Sequence, residues 1–114
     1  MKFLSICKVK DSFSMVPPSM GRQLMEATMT WTNQQVKAGK IVEIYSCGPG
    51  ITAAICEHPD ADDLNRVIST MPMSGFMHFD IYPLAEINSS MQTYIEAYKA
   101  AEKMFPAREM VGVR

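Results

Sequence analysis

The sequence between residues 41 and 57 restricts the fold more than any other segment. Two runs of branched and aromatic residues, IVEIYS (41–46) and ITAAICE (51–57), are separated only by the turn sequence CGPG (47–50). Runs of this composition on either side of a short glycine-containing turn predict a β-hairpin. The rest of the fold must therefore be built around a pair of antiparallel strands.

The segments before the hairpin predict one strand and one helix. FLSICKVK (3–10) alternates as a strand does, and Pro17 and Pro18 block regular structure up to a helix start near Ser19. Apolar residues then recur at spacings of three and four, and Gly39 ends the helix. The predicted apolar stripe of this helix consists of Met20, Leu24, Ala27 and Trp31.

The segments after the hairpin predict a helix, a strand and a second helix. The first of these helices starts around Asp60, with acidic residues favourably placed in its first turn. Its buried stripe consists of Leu64, Val67, Ile68 and Met71. MHFDIY (77–82) alternates as the fourth strand. The last helix spans residues 89–105, is capped by Asn88 or Ser89 and ends at Pro106, and the tail AREMVGVR (107–114) is expected to be loose.

The order β-α-β-β-α-β, followed by an extra C-terminal helix, is typical of the ferredoxin-like α+β fold. This fold predicts a four-stranded antiparallel sheet with both crossover helices on one face and the fourth strand beside the first. We expect a single domain over residues 1–114, with its core at about 1–87 and the extra helix at about 89–105.

Charge and cysteine content exclude several classes of partner. A formal net charge of -1 and a pI near 6.1 provide no basic surface for nucleic acid or an anionic membrane. No apolar run is long enough for a signal peptide or a membrane span. The cysteines form no CxxC, and His58, in a His-Pro turn, is far from His78 and is interpreted as a loop residue. We therefore expect a cytoplasmic protein without metal or other cofactor.

The alternation within each strand predicts which residues face the helices. If the more apolar set of every strand is the covered one, the helix side carries Leu4, Ile6, Val42, Ile44, Ile51, Ile55, Met77, Phe79 and Ile81. The opposite face then carries Ser5, Cys7, Glu43, Tyr45, Cys47, Thr52, Cys56, His78, Asp80 and Tyr82. This second set is too polar for a sealed core and too rich in tyrosine and cysteine for open water. We expect it to enclose a semi-polar cavity when two copies pack sheet to sheet.

Residues from about 36 to 90 resemble the muconolactone isomerase family of the dimeric α+β barrel superfamily. The likeness rests on the AG before the second strand, the hairpin, the Met71-Pro72 pair, the Gly-Phe-Met approach to the fourth strand and Ser89-Ser90 after it. The resemblance implies a homodimer, in some members assembled into larger rings, and a cofactor-free proton shift that isomerises a lactone. Val42 and Glu43 stand where the family has basic and imidazole side chains, so the resemblance extends to the fold rather than to the exact substrate.

Five residues are candidates for such a proton shift. An imidazole titrates near neutrality and can accept and return a proton, so His78 is the predicted base, oriented by Asp80. Glu43 is an alternative base, and Tyr45 or Tyr82 would donate a hydrogen bond to the enolate oxygen. The expected contacts of a small apolar oxygenated ligand are Ser5, Cys7, Thr52 and Tyr82.

Other interpretations of the same residues stay open. His78 and Asp80 also suit a polar pair between two subunits, and Glu43 suits an exposed charge that protects an edge strand from aggregation. The protein would then be a non-catalytic binding or assembly module. A third hypothesis is a cofactor-independent monooxygenase of the same superfamily, which oxygen consumption distinguishes from an isomerase.

Overall fold

The elements of the structure follow the order that the sequence predicts. The computed structural model describes residues 1–105, with strands β1 (Lys2–Val9), β2 (Ile41–Ser46), β3 (Ile51–Glu57) and β4 (Met77–Pro83). The helices are α1 (Pro18–Lys37), α2 (Ala61–Ile68) and α3 (Ile87–Met104), with short 3-10 helices at Asp11–Met15 and Ser74–Phe76. The expected helix stop at Pro106 and the loose tail at 107–114 lie outside the described residues.

The four strands form one antiparallel sheet in the order β2-β3-β1-β4. Helix α1 connects β1 to β2, and α2 connects β3 to β4, so each long connection is a helical crossover. The predicted ferredoxin-like topology is confirmed, including the placement of the fourth strand beside the first. None of the helices in the described part of the chain combines the length and apolarity that a bilayer crossing needs.

The chain divides into two compact units, of which the first comprises residues 1–84 and the second starts at Ala85. The second unit contains α3, whose first turn is capped by Glu86 rather than by Asn88 or Ser89. Oε2 of Glu86 accepts a hydrogen bond from the backbone nitrogen of Ser89 at 2.7 Å. Hydrogen bonds from the Asn88 and Ser89 backbones hold the pKa of Glu86 below its ordinary value. The expectation of a single domain stays a prediction.

The ends of two elements are fixed by backbone conformation and by a side-chain cap. Gly48 and Gly50, with φ of 119° and 71°, allow the β2–β3 turn to enter the left-handed region that other residues disfavour. Asp60 precedes α2, and its Oδ1 accepts a hydrogen bond from the backbone nitrogen of Asp63 at 2.8 Å. The cap starts α2 directly after the chain leaves β3.

The core of the first unit lies between the sheet and the two crossover helices. A buried cluster of strand and α2 residues has Trp31 of α1 and Ile68 of α2 packed against it. The members of this cluster are Phe3, Ile41, Ala54, Cys56 and Leu64. We call this side of the sheet the inner face and the side turned away from α1 and α2 the outer face.

The inner face differs from the predicted one in β1 and β3. Cys7 pairs with Thr52 of β3 and with Phe79 of β4, and directly opposed residues of antiparallel strands project from the same face. The prediction for these two strands is therefore wrong. Ser5, Cys7, Thr52 and Cys56 face the helices, whereas Leu4, Ile6, Ile51 and Ile55 lie on the outer face. The physical reason is that these parts of β1 and β3 border a cavity, where small side chains leave space, while Phe3 and Ile41 of the same face pack in the core.

The predicted assignment of residues to the two faces of the sheet is confirmed for β4 and for most of β2. Met77 and Phe79 line the inner side, which places His78, Asp80 and Tyr82 on the outer face. In β2, Ile44 is on the inner face. Glu43 and Tyr45 pair with Ile55 and Ala53 on the outer face. Val42 is exposed, contrary to expectation, because the register between β2 and β3 shifts between Ile41 and Glu43.

Candidate functional site

A cavity of about 120 Å³ lies between the inner face and the two crossover helices. Its sheet wall combines small residues of β1 and β3 with larger residues of β2 and β4, and its opposite wall is formed by α1 and α2. The side chains that matter for chemistry are Ser5, Cys7, Thr28, Gln35, Thr52 and His58. A cavity of about 150 Å³ in another protein binds benzene, so this chamber has room for a ring of similar size or slightly smaller.

Helix α1 presents polar residues to this cavity at the spacing of one helix face. Thr28, Thr32 and Gln35 line it together with Trp31. The indole nitrogen of Trp31 donates a hydrogen bond to Oγ1 of Thr70 at 2.9 Å. Of the other predicted stripe residues, Met20 and Ala27 are exposed. This part of the cavity wall therefore combines polar side chains with the indole of Trp31.

His58 is the buried imidazole of the cavity wall, with 3% of its surface exposed. It lies in the loop between β3 and α2, where its backbone nitrogen donates to the carbonyl oxygen of Met1 at 3.0 Å. Its Nδ1 is 2.8 Å from Oδ2 of Asp63. The interpretation of His58 as a simple loop residue missed this contact. The signal in the sequence is HPDADD (58–63). Asp60 caps the start of α2 by accepting from the backbone nitrogen of Asp63, and the side chain of Asp63 contacts His58.

Asp63 is held as a carboxylate by three positively charged or hydrogen-bonding neighbours. The hydrogen bond with His58 is the largest cause that lowers the pKa of Asp63, with Lys40 and Arg66 lowering it further and partial burial opposing them. Nζ of Lys40 lies 3.8 Å from Oδ2, and the Arg66 guanidinium donates to Oδ1. An ionised carboxylate only accepts hydrogen bonds, so Nδ1 of His58 must carry the proton. In the neutral form of this ring, Nε2 is therefore the nitrogen that can accept a proton.

A second, wider chamber of about 300 Å³ adjoins the first near the β2–β3 turn. The two chambers share five lining residues, which are Thr28, Thr32, Ile44, Thr52 and Met77. We call the first cavity the inner chamber and the second the outer chamber, and both lie on the inner face of the sheet. Three further methionines, Met25, Met29 and Met73, line the outer chamber. Both chambers are therefore mainly apolar, with His58 in the wall of the first and Asn33 and Ser46 in the wall of the second.

The sequence-predicted site residues are divided between the two faces of the sheet. Nε2 of His78 lies 3.3 Å from Oδ1 of Asp80 on the outer face, with 63% and 43% of the two side chains exposed. Glu43, Tyr45 and Tyr82 are also on the outer face and exposed. The expectation that Ser5 and Cys7 lie beside His78 and Asp80 is wrong, since Ser5, Cys7 and Thr52 line the inner cavity instead.

Burial affects the thiols of the inner face. Desolvation raises the pKa of Cys7, although hydrogen bonding with Thr52 partly offsets this effect. Desolvation also raises the pKa of Cys56, and the nearby Cys7 raises it further. Both side chains therefore favour the neutral thiol, which contributes to the wall without acting as a nucleophile at neutral pH.

An antiparallel sheet covered by two crossover helices, with a cavity between them, places the protein in the ferredoxin-like α+β class. The sequence model of the family described as muconolactone delta-isomerase matches residues 1–90. The chain belongs to this family.

A solved structure supports the same fold. The chain resembles the crystal structure of muconolactone isomerase with a TM-score of 0.66 and 15% sequence identity, over 75% of this chain and 90% of that one. At this identity the likeness establishes the fold alone. No curated protein sequence gives a significant match to the chain.

Proposed function

We propose that the protein catalyses a cofactor-free proton shift beside the carbonyl group of a small lactone or enone. The reaction takes place in the inner cavity, between the sheet and the crossover helices. The observation that carries this proposal is the buried His58, oriented by the ionised Asp63 at the cavity wall. Membership of the muconolactone delta-isomerase family supports the reaction class.

The proposed reaction moves one proton and leaves no net change in atoms or electrons. Nε2 of His58 removes a proton from the carbon next to the carbonyl group, and the electron pair of that bond delocalises onto the carbonyl oxygen. The resulting imidazolium is stabilised by Asp63, as a carboxylate stabilises histidine in other acid–base enzymes. His58 then returns the proton to the far carbon of the conjugated system. Ser5 and Thr52 supply hydroxyl groups in the same cavity.

The experiment compares two histidines that lie on opposite faces of the sheet. The probe is α-angelica lactone, whose conversion into its conjugated isomer is followed by ultraviolet absorbance. We expect His58→Gln to lower kcat by about 100-fold or more, the usual contribution of a general base. His78→Ala is the matched control and retains wild-type turnover. Loss of turnover in His78→Ala with full activity in His58→Gln would assign the chemistry to the outer face instead.

For the outer face we propose contact with a second copy of the chain. Its centre is formed by Leu4, Ile6 and Ala53, and covering these apolar side chains with a second copy is favourable because it removes apolar surface from water. This apolar centre is then surrounded by polar and amphipathic contacts of the interface, which are His78, Asp80, Glu43, Tyr45 and Tyr82.

The free thiols of Cys7, Cys47 and Cys56 support a reducing compartment such as the cytoplasm.

A further inference from the structure

Thr28 of α1 has a buried hydroxyl that forms no hydrogen bond with any group in residues 1–105. Two neighbouring threonines of the same helix behave differently. Thr30 donates to the carbonyl oxygen of Glu26 at 3.2 Å, and Thr32 donates to the carbonyl oxygen of Thr28 at 2.8 Å. An unsatisfied buried hydroxyl destabilises the free protein and needs an explanation, of which a ligand is one.

The position of Thr28 indicates what such a ligand would contact. Thr28 lines both chambers and therefore stands at their junction. On one side of it lies the chamber that contains His58. On the other side lies the chamber walled by Met25, Met29 and Met73. The inner chamber has room for one small ring only. A larger molecule that contacts both Thr28 and His58 must therefore extend into the outer chamber.

The two chambers differ in volume and in methionine content, and these differences indicate the shape of the substrate. The inner chamber of about 120 Å³ holds a five- or six-membered ring at most. The outer chamber of about 300 Å³ is rich in methionine, whose flexible and polarisable side chain packs against apolar groups of many shapes. Although Asn33 and Ser46 also line it, most of its surface is apolar, which suits an alkyl or aryl substituent.

We propose that the substrate is a lactone or enone that carries an extended apolar substituent, recognised at its carbonyl oxygen by Thr28. The Thr28 hydroxyl donates to that oxygen and stabilises the negative charge that develops on it. The reacting ring occupies the inner chamber and the substituent occupies the outer one. This inference rests on the proposed function of the cavity and adds the shape of the substrate and the donor that binds its oxygen.

The first experiment measures binding, which does not depend on turnover. The probes are α-angelica lactone, which carries a methyl group, and its pentyl homologue, both titrated while protein amide signals are followed by NMR. We expect the pentyl compound to bind at least about tenfold more tightly, because each additional buried methylene contributes to affinity. Equal affinities of the two lactones would overturn the assignment of the outer chamber.

Two methionine variants test where the substituent lies. Met25 and Met20 are both on α1 and both 53% exposed, but only Met25 lines the outer chamber. We expect Met25→Trp to abolish the advantage of the pentyl compound while methyl-lactone binding persists. Met20→Trp retains the advantage. If Met20→Trp and Met25→Trp behave alike, the substituent lies elsewhere.

The role of Thr28 is tested by removing its hydroxyl at nearly constant shape. We expect Thr28→Val to weaken lactone binding by about tenfold and Thr28→Ser to restore it, as for a lost hydrogen bond to a ligand. The carbonyl stretching frequency of the bound lactone shifts upward in Thr28→Val, because its oxygen loses a donor. Thr30→Val is the control, since the Thr30 hydroxyl bonds to its own helix. Unchanged affinity and frequency in Thr28→Val would overturn the proposal.

The outcomes separate this inference from the proposed function. The pentyl lactone could bind more tightly, with a carbonyl frequency that depends on Thr28, while no isomerisation is detected. This result would support the inferred ligand shape and reject the proposed proton shift. Alternatively, isomerisation could depend on His58 but not on Thr28 or on the length of the substituent. This result would support the proposed reaction and reject the inferred substrate shape and the role of Thr28.

Discussion

Nδ1 of His58 and Oδ2 of Asp63 are 2.8 Å apart, in a contact that joins the loop after β3 to the first turn of α2. The contact fixes the tautomer of a buried imidazole and, in return, lowers the pKa of the carboxyl group. One hydrogen bond thus affects both the chemistry of the cavity and the stability of the fold.

We predict that the stabilising effect of Asp63 depends on pH. Because its pKa is lower in the folded state than the ordinary value of about 3.9, its contribution is complete well above that value. The contribution is lost as the pH falls through the ordinary value toward the lower folded one. Urea denaturation should therefore show Asp63→Asn less stable than wild type at neutral pH, with the difference shrinking in acid.

Asp62 provides the control for this measurement. It lies beside Asp63 in the first turn of α2 but is exposed. We expect Asp62→Asn to change stability little at any pH. A difference between wild type and Asp63→Asn that is constant from neutral to acid pH would contradict the role assigned to the carboxylate.

The three cysteines should react with iodoacetamide at very different rates. Cys47 is exposed beside the hairpin turn, whereas burial raises the pKa of Cys7 and of Cys56 on the inner face. Since the thiolate is the reactive form, mass spectrometry should find Cys47 alkylated first, with the other two slower by about tenfold or more. Alkylation of Cys7 at the rate of Cys47 would place it outside the cavity.

A charge placed on the outer face should prevent self-association. Ile6 lies at the centre of this face, directly opposite Ala53 of β3 and Asp80 of β4. We expect Ile6→Asp to sediment as a monomer under conditions where the wild type sediments as a dimer, because it would bury a second carboxylate directly opposite Asp80. The control Met20→Asp, at an exposed position of α1, stays dimeric. A monomeric wild type would contradict the proposed interface.

The core should be sensitive to loss of the Phe3 side chain. Phe3 is 2% exposed and belongs to the cluster between the sheet and the helices. We expect Phe3→Ala to reduce the free energy of unfolding by about 3–5 kcal/mol, the usual range for removing a buried aromatic ring. Phe105→Ala, at a residue that is 59% exposed, should have little effect. Similar denaturation midpoints for the two variants would contradict the described core.

The order of elements could be predicted because each one carries its own local signal. The hairpin is marked by its turn, α1 by its apolar spacing and α2 by the acidic residues that begin it. In contrast, assigning a strand's faces needs knowledge of what lies against them. The rule that the more apolar set is covered assumes a sealed core, and it failed for Leu4 and Ile6 because the helices cover a cavity.

The candidate site was harder to predict than the fold for a related reason. His78 and Asp80 share one strand, so their proximity is visible in the sequence, and the structure places them 3.3 Å apart. His58 and Asp63 meet only because a loop turns and a helix begins between them. His58 is buried, and its backbone nitrogen donates to the carbonyl oxygen of Met1, which is 57 positions away in the chain. No local pattern contains that information.

The small residues of the inner face have an evolutionary consequence. Ser5, Thr52 and Ala54 leave room where bulkier side chains would pack more tightly. Substitutions that enlarge these residues would be expected to make the fold more robust while shrinking the reaction chamber. Selection for thermal stability and selection for activity therefore act in opposite directions at this wall. Directed evolution for thermal stability alone should first enlarge these residues and so fill the cavity.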